Sequence, residues 1–233
     1  MSSVLFILPC AGGSAASYDE WKKYVKCPVY AIEYAGHWQR YAESLYQNVD
    51  ELLQDVLNQI QNNTEETDDI YILGHSMGGI IAWVVTKLLQ YKYQRNVSGL
   101  FLAACYVPKS NKYKITFQDK KLKKLLKQSS GFSEKVLDSS FFKINLLPVF
   151  QRDFLLLKDL CEMFGTQDNI LNMSITVLIG RSDSFVSKKD MLEWQIYTTQ
   201  EVNCFEMSGN HVFLYDRENM QYICREIINT KVK

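Results

Sequence analysis

A serine flanked by glycines, at the junction of an apolar run and a helical pattern, is the residue of this sequence best placed to do chemistry. The segment Ile70–Gly79 reads I-Y-I-L-G-H-S-M-G-G and holds G-x-S-x-G as Gly74-His75-Ser76-Met77-Gly78. A serine hydroxyl is a poor nucleophile until a base takes its proton and a third group orients that base. The motif is short, so its context decides: an apolar strand ends at Gly74 and a helix starts after Ser76. Such a strand–turn–helix holds a serine in strained backbone, and a Cβ at Gly74 or Gly78 would collide with neighbouring backbone. The free N–H groups of the helix N-terminus would face a developing oxyanion.

The sequence holds three histidines, His37, His75 and His211. His75 lies inside the turn, with its side chain expected to point away from the nucleophile, and His37 precedes the serine. Hydrolases built on such a turn run in the order serine, acid, histidine, which selects His211, just beyond the last apolar run. For the acid, the run Ile175–Gly180 leads into Arg181-Ser182-Asp183. Asp183 is therefore the first candidate and Asp190 the fallback. An oxyanion hole needs two backbone N–H donors. Met77 supplies one, and Pro9-Cys10-Ala11-Gly12-Gly13-Ser14 should supply the other, through Cys10 or, next, Ala11. That loop has neither the G-x-G-x-x-G pattern nor the lysine of a phosphate-binding turn.

The elements that position these residues follow from periodicity. Strands are expected at Val4–Pro9, Val29–Tyr34, Asp69–Gly74, Gly99–Tyr106, Ile175–Gly180 and Asn203–Met207. Leu45, Val49, Leu52, Leu53, Val56, Leu57 and Ile60 mark an amphipathic helix, and Ile80–Leu89 a buried one. Strand–helix alternation argues for an α/β fold with a mostly parallel sheet flanked by helices. Between about residues 107 and 172 the alternation stops and helical patterns take over. This region is expected to form a helical lid within one domain spanning 1–233. Its first part, residues 109–127, is rich in lysine.

Composition excludes other classes. Hydrophobic residues make up 47% and charged residues 22%, which rules out disorder, and 26 basic against 26 acidic side chains give no electrostatic footprint for nucleic acid. No apolar run is long enough to span a membrane and Val4–Leu8 is too short for a signal peptide, so a cytoplasmic protein is expected, and one compact domain favours a monomer. The 6 cysteines lie at irregular spacings without CxxC, and are expected to be reduced thiols rather than metal ligands. Three N-x-S/T matches, at Asn62, Asn96 and Asn172, are read as chance.

Taken together these segments resemble the type II thioesterases, stand-alone editing hydrolases of non-ribosomal peptide and polyketide synthetases. The resemblance rests on Leu8–Ala15 with Tyr18 and Trp21, Glu33–Arg40, Gly74–Gly79, Leu146–Phe154, Gly180–Val186 with Trp194, and Gly209–Leu214. Ala35 and Trp38 stand where the family usually has Pro and Gly, and Asn210 replaces the acid common before the histidine. The resemblance implies an α/β-hydrolase fold with a lid, a triad of Ser76, Asp183 and His211, and no cofactor. It also implies hydrolysis of acyl or aminoacyl thioesters from the phosphopantetheine arm of an acyl or peptidyl carrier protein. Leu146, Leu147, Phe150 and Phe154 would then either line the acyl site or simply pack the lid. The lysine-rich stretch would either dock an acidic carrier protein or form a solvated helix face. The competing readings are a general carboxylesterase or lipase, and a catalytically silent binding protein.

Overall fold

The computed structural model describes residues 2–110, 126–127, 132–166 and 170–232. Six strands form one sheet: β1 (Ser3–Leu8), β2 (Val29–Ala31), β3 (Asp69–His75), β4 (Val97–Ala103), β5 (Ile175–Gly180) and β6 (Val202–Met207). Their order is β2-β1-β3-β4-β5-β6, and every neighbouring pair is parallel. The two longest well-formed helices before β4 are α1 (Val49–Gln61) and α2 (Met77–Tyr91). Between β4 and β5 come α3 (Glu134–Asp138), a π turn at Phe142–Leu146 and α4 (Leu147–Phe164). The short helices α5 (Lys188–Leu192) and α6 (Arg217–Tyr222) flank β6.

Strict alternation along the strands divides the core into two layers. Val4, Phe6 and Leu8 of β1 and Ile70 and Ile72 of β3 pack with α1 and α2. Leu5, Ile7, Tyr71 and Leu73 face the other way, against Tyr18, Trp21 and the C-terminal Met220, Ile223 and Ile227. Because both sheet faces are covered, the inner strands read as continuous apolar runs. The sheet order reverses between β1 and β3, and ligand sites of open parallel sheets form at the carboxyl ends of strands at such a switch point.

Element ends differ from expectation where the backbone is special. β4 stops at Ala103 rather than Tyr106, because Ala104 turns into left-handed backbone at φ 49 and sends its N–H to the Leu178 carbonyl. β2 ends at Ala31, short of Tyr34, as the chain leaves this edge strand to carry Glu33–His37 beneath the β1 loop. Helix α1 starts at Val49 behind the Asn48 cap, which accepts from the Glu51 amide, so Leu45 lies outside it. Of the lysines in 109–127, Lys112, Lys114, Lys120, Lys121, Lys123 and Lys124 lie outside the described residues. Among the described residues no helix is long and apolar enough to cross a membrane.

Candidate active site

Ser76 occupies the tight turn between β3 and α2, at φ 55 and ψ −114. This left-handed conformation is costly for a side-chain-bearing residue, so its surroundings have to enforce it. They do so by close approach: a Cβ on Gly74 would lie 2.2 Å from the Gly78 carbonyl oxygen, and one on Gly78 2.1 Å from that of Leu8. The Ser76 amide is anchored to the Ala103 carbonyl at 2.8 Å.

His211 follows β6, beyond the positive φ of 97 at Gly209. Its Nε2 lies 3.1 Å from Ser76 Oγ, which donates to it, and its Nδ1–H donates to Asp183 Oδ2 at 2.8 Å. Asp183 sits in the turn after β5, its side chain wholly buried, and Oδ1 accepts the amides of Phe185 at 2.8 Å and Val186 at 3.1 Å. Burial works to raise the Asp183 pKa, but the hydrogen bond and charge of His211 and the two amides outweigh it and hold the carboxyl below its usual range. The fallback Asp190 is committed elsewhere: its carboxylate caps α5 by accepting from the Ser187 amide at 2.8 Å. Thus β3, β5 and β6 bring Ser76, Asp183 and His211 together across gaps of 107 and 28 residues.

The loop after β1 lies against the start of α2, as the Gly78–Leu8 approach requires. Two of its amides are spent. Pro9 has none, Gly12 N–H donates to Asp153 Oδ2 at 2.7 Å, and Gly13 N–H closes a turn on the Cys10 carbonyl at 2.9 Å. The candidates left between them are Cys10 and Ala11. Above the loop, Gly12 has φ 65, and a Cβ there would meet the Phe150 ring at 2.2 Å. Phe150 stacks on Phe142, with Leu146, Leu147 and Phe154 partly buried around them. This apolar cluster therefore sits directly over the loop.

Sequence reasoning set two histidines aside that the structure gives definite work. His75 is fully buried on the β3 register shared by Tyr71 and Leu73. Its Nε2–H donates to the His211 carbonyl at 2.8 Å, and its Nδ1 accepts from Tyr18 Oη at 3.1 Å. Burial first, and then the proximity of His211, lower its pKa to about 3, so this ring is neutral. The signal was present: a histidine at a buried strand position needs a partner for each nitrogen. The Tyr18 hydroxyl lies 3.5 Å from Tyr215 Oη, which is 3.5 Å from Cys10 Sγ, linking the His211 backbone to the β1 loop. His37 is buried against Asp153 of α4, with Nε2 3.2 Å from Oδ1. Among the described residues, no group of three or more His, Cys, Asp or Glu is placed to hold a metal ion.

The thioesterase domain family matches residues 3–230 of the chain. Thioesterase TesA of Mycobacterium marinum is 26% identical over 214 residues, covering 90% of this chain and 84% of its own. The gramicidin S biosynthesis protein GrsT of Aneurinibacillus migulanus is 26% identical over 231 residues, covering 96% and 88%. Among solved structures, ClbQ from the colibactin NRPS/PKS pathway superposes with a TM-score of 0.82 at 22% identity, covering 99% of this chain and 97% of ClbQ. YbtT, a type II thioesterase from the yersiniabactin NRPS/PKS pathway, gives 0.84 at 17% identity, covering 99% and 93%. These superpositions show the α/β-hydrolase fold.

Proposed function

The chain belongs to the thioesterase family, and from that premise we propose that it hydrolyses acyl or aminoacyl thioesters on the phosphopantetheine arm of carrier-protein domains, clearing misprimed or stalled synthetase modules. The observation that carries this reading is the hydrogen-bonded series Ser76 Oγ, His211 and Asp183 at a strained turn before a helix N-terminus. The synthesis role of GrsT and the pathway of YbtT support a carrier-bound substrate.

In this reading Ser76, His211 and Asp183 are the catalytic triad. His211 Nε2 takes the Ser76 proton as Oγ attacks the thioester carbonyl, and Asp183 holds the Nδ1–H tautomer and stabilises the imidazolium. The amides of Met77 and Cys10 receive the tetrahedral oxyanion. The carbon–sulfur bond breaks, and the pantetheine thiol leaves with the proton returned by His211. Water, deprotonated by the same imidazole, then attacks the acyl-serine ester and releases the acid. Residues 107–172 act as the lid, with Leu146, Leu147, Phe150 and Phe154 contacting the acyl chain. No cofactor takes part, since the arm arrives with the substrate.

The test is turnover of acyl-loaded carrier protein and of a matched oxygen ester by the wild type and Ser76→Ala. Carrier thioester cleavage should fall by about 10⁶-fold in kcat, the scale seen on removing the nucleophile of another serine triad. Preferential cleavage of the oxygen ester would instead favour a carboxylesterase. Equal inertness of both proteins toward both substrates would overturn the hydrolase assignment.

A further inference from the structure

The buried contact between His37 and Asp153 lies outside the triad, yet it joins three separate pieces of chain. His37 comes from the loop after β2, Asp153 from α4, and Gly12 and Gly13 from the loop after β1. Both side chains are nearly inaccessible, at 1% and 4% exposure. His37 Nδ1 faces the Gly13 carbonyl at 3.2 Å, which can only accept, so this nitrogen carries a proton. Nε2 faces Asp153 Oδ1 at 3.2 Å, while Asp153 Oδ2 accepts the Gly12 amide at 2.7 Å. With Asp153 ionised, as the ion pair inferred below requires, its oxygens too can only accept, so Nε2 would be protonated as well and the ring an imidazolium.

We infer that His37 and Asp153 form a buried ion pair that positions the Pro9–Ser14 loop for oxyanion binding and seats α4 above it, as positioning residues rather than catalytic ones. The inference rests on the hydrolase reading given above. Asp153 sets the Gly12 amide and His37 sets the Gly13 carbonyl, so the pair grips the loop on the C-terminal side of the Cys10 and Ala11 amides. Phe150, one turn before Asp153 on α4, packs on Gly12 in the same contact.

The charges and titratable groups around the pair favour the cation. Glu33, from the segment after β2, lies close enough to attract it, and its own carboxyl accepts from Ser14 Oγ at 3.2 Å and the Ala15 amide at 3.3 Å. Tyr34 packs edge-on to the imidazole at 5.4 Å, and burial, with the charge of Asp153 added to it, raises the pKa of the Cys10 thiol on the β1 loop. Burial lowers the His37 pKa, but the charge and hydrogen bond of Asp153, the Gly13 carbonyl and Glu33 together raise it above the ordinary histidine value. The pair is therefore intact below that raised value and is lost as pH rises through it.

The pH dependence of kcat and KM on a small acyl thioester separates this role from simple packing. The wild type should lose kcat on the alkaline side as His37 deprotonates. In Asp153→Asn, the amide oxygen still accepts from Gly12 and its N–H₂ donates to a neutral His37 Nε2. The hydrogen bonds then survive without charge, and kcat should hold level through the range where the wild type falls. Asp153→Ala, which leaves the loop ungripped, should lower kcat by about 10²-fold, with KM changed far less. Side-chain ¹⁵N NMR of His37 at neutral pH should show two protonated ring nitrogens, a readout that needs no activity. Identical alkaline limbs in wild type and Asp153→Asn, an undiminished kcat in folded Asp153→Ala, or one unprotonated His37 nitrogen would each overturn the inference. Retained turnover in Ser76→Ala would instead remove the hydrolase reading while leaving the NMR result to judge the pair.

Discussion

Ser76, His211 and Asp183 stand in one hydrogen-bonded line because each ends or follows a different strand of the same parallel sheet. The role proposed for Asp183 is to keep the proton on Nδ1 so that Nε2 is free to accept. Asp183→Asn can place its amide N–H against Nδ1 and so select the wrong tautomer. It should lower kcat by about 10⁴-fold while leaving the far-UV circular dichroism unchanged. His75 makes a different prediction. Its pKa is near 3 in the fold and near 6.5 in an unfolded chain, so between those values the unfolded state binds the extra proton. The contribution of His75 to stability is thus full above about pH 6.5 and falls as pH drops toward 3, by an amount on the order of a few kcal/mol. Urea melts of wild type and His75→Phe across pH 4–8 check this. The acid-side slope should flatten in the variant, whose midpoint at pH 8 should be lower because the His211 carbonyl loses its donor.

At the scale of elements, the β3–α2 turn works only because backbone meets backbone. Gly78→Ala would put a methyl carbon 2.1 Å from the Leu8 carbonyl oxygen, where no flexible side chain can yield. The β1 loop must then move away from α2. The expected outcome is a loss of about 1–3 kcal/mol of stability and a marked fall in kcat, measured by thermal melting and single-turnover acylation. Helix α4 divides along its length in a similar way. Leu156, Leu157, Leu160 and Cys161 anchor its second half in the core with α2, whereas Phe150 and Asp153 in the first half touch the β1 loop. A change of pose in that first half reaches the loop directly, through two contacts.

For the whole molecule, 26 basic and 26 acidic side chains cancel, so long-range attraction of the proposed carrier-protein partner has to come from local charge. The lysine-rich residues 109–127 are the strongest such concentration in the sequence. Replacing Lys120, Lys121, Lys123 and Lys124 by Glu should slow hydrolysis from carrier protein several-fold at low salt and spare a small thioester. Equal slowing of both substrates, measured as kcat/KM, would remove the docking role. The pH response should also be two-sided. His75 withdraws stability on the acid side, and His37, whose pKa is raised in the fold, withdraws it as pH climbs through that raised value.

Much of this molecule is legible in its residues. The parallel sheet follows from short apolar runs alternating with helical ones, and the positions of Ser76, Asp183 and His211 follow from glycine placement and chain order. These are local properties: hydrophobic period and backbone sterics act over a few residues, so sequence carries them directly. The partners of His37 and His75 are not local. His37 meets a carboxylate 116 residues away, and His75 donates to a carbonyl 136 residues away. No spacing rule encodes such pairs, because the contact exists only once α4 lies over the β1 loop and β6 returns beside β5. The charge of one buried histidine and the neutrality of the other are thus set by burial and by which acceptor or donor the completed fold brings to each ring nitrogen.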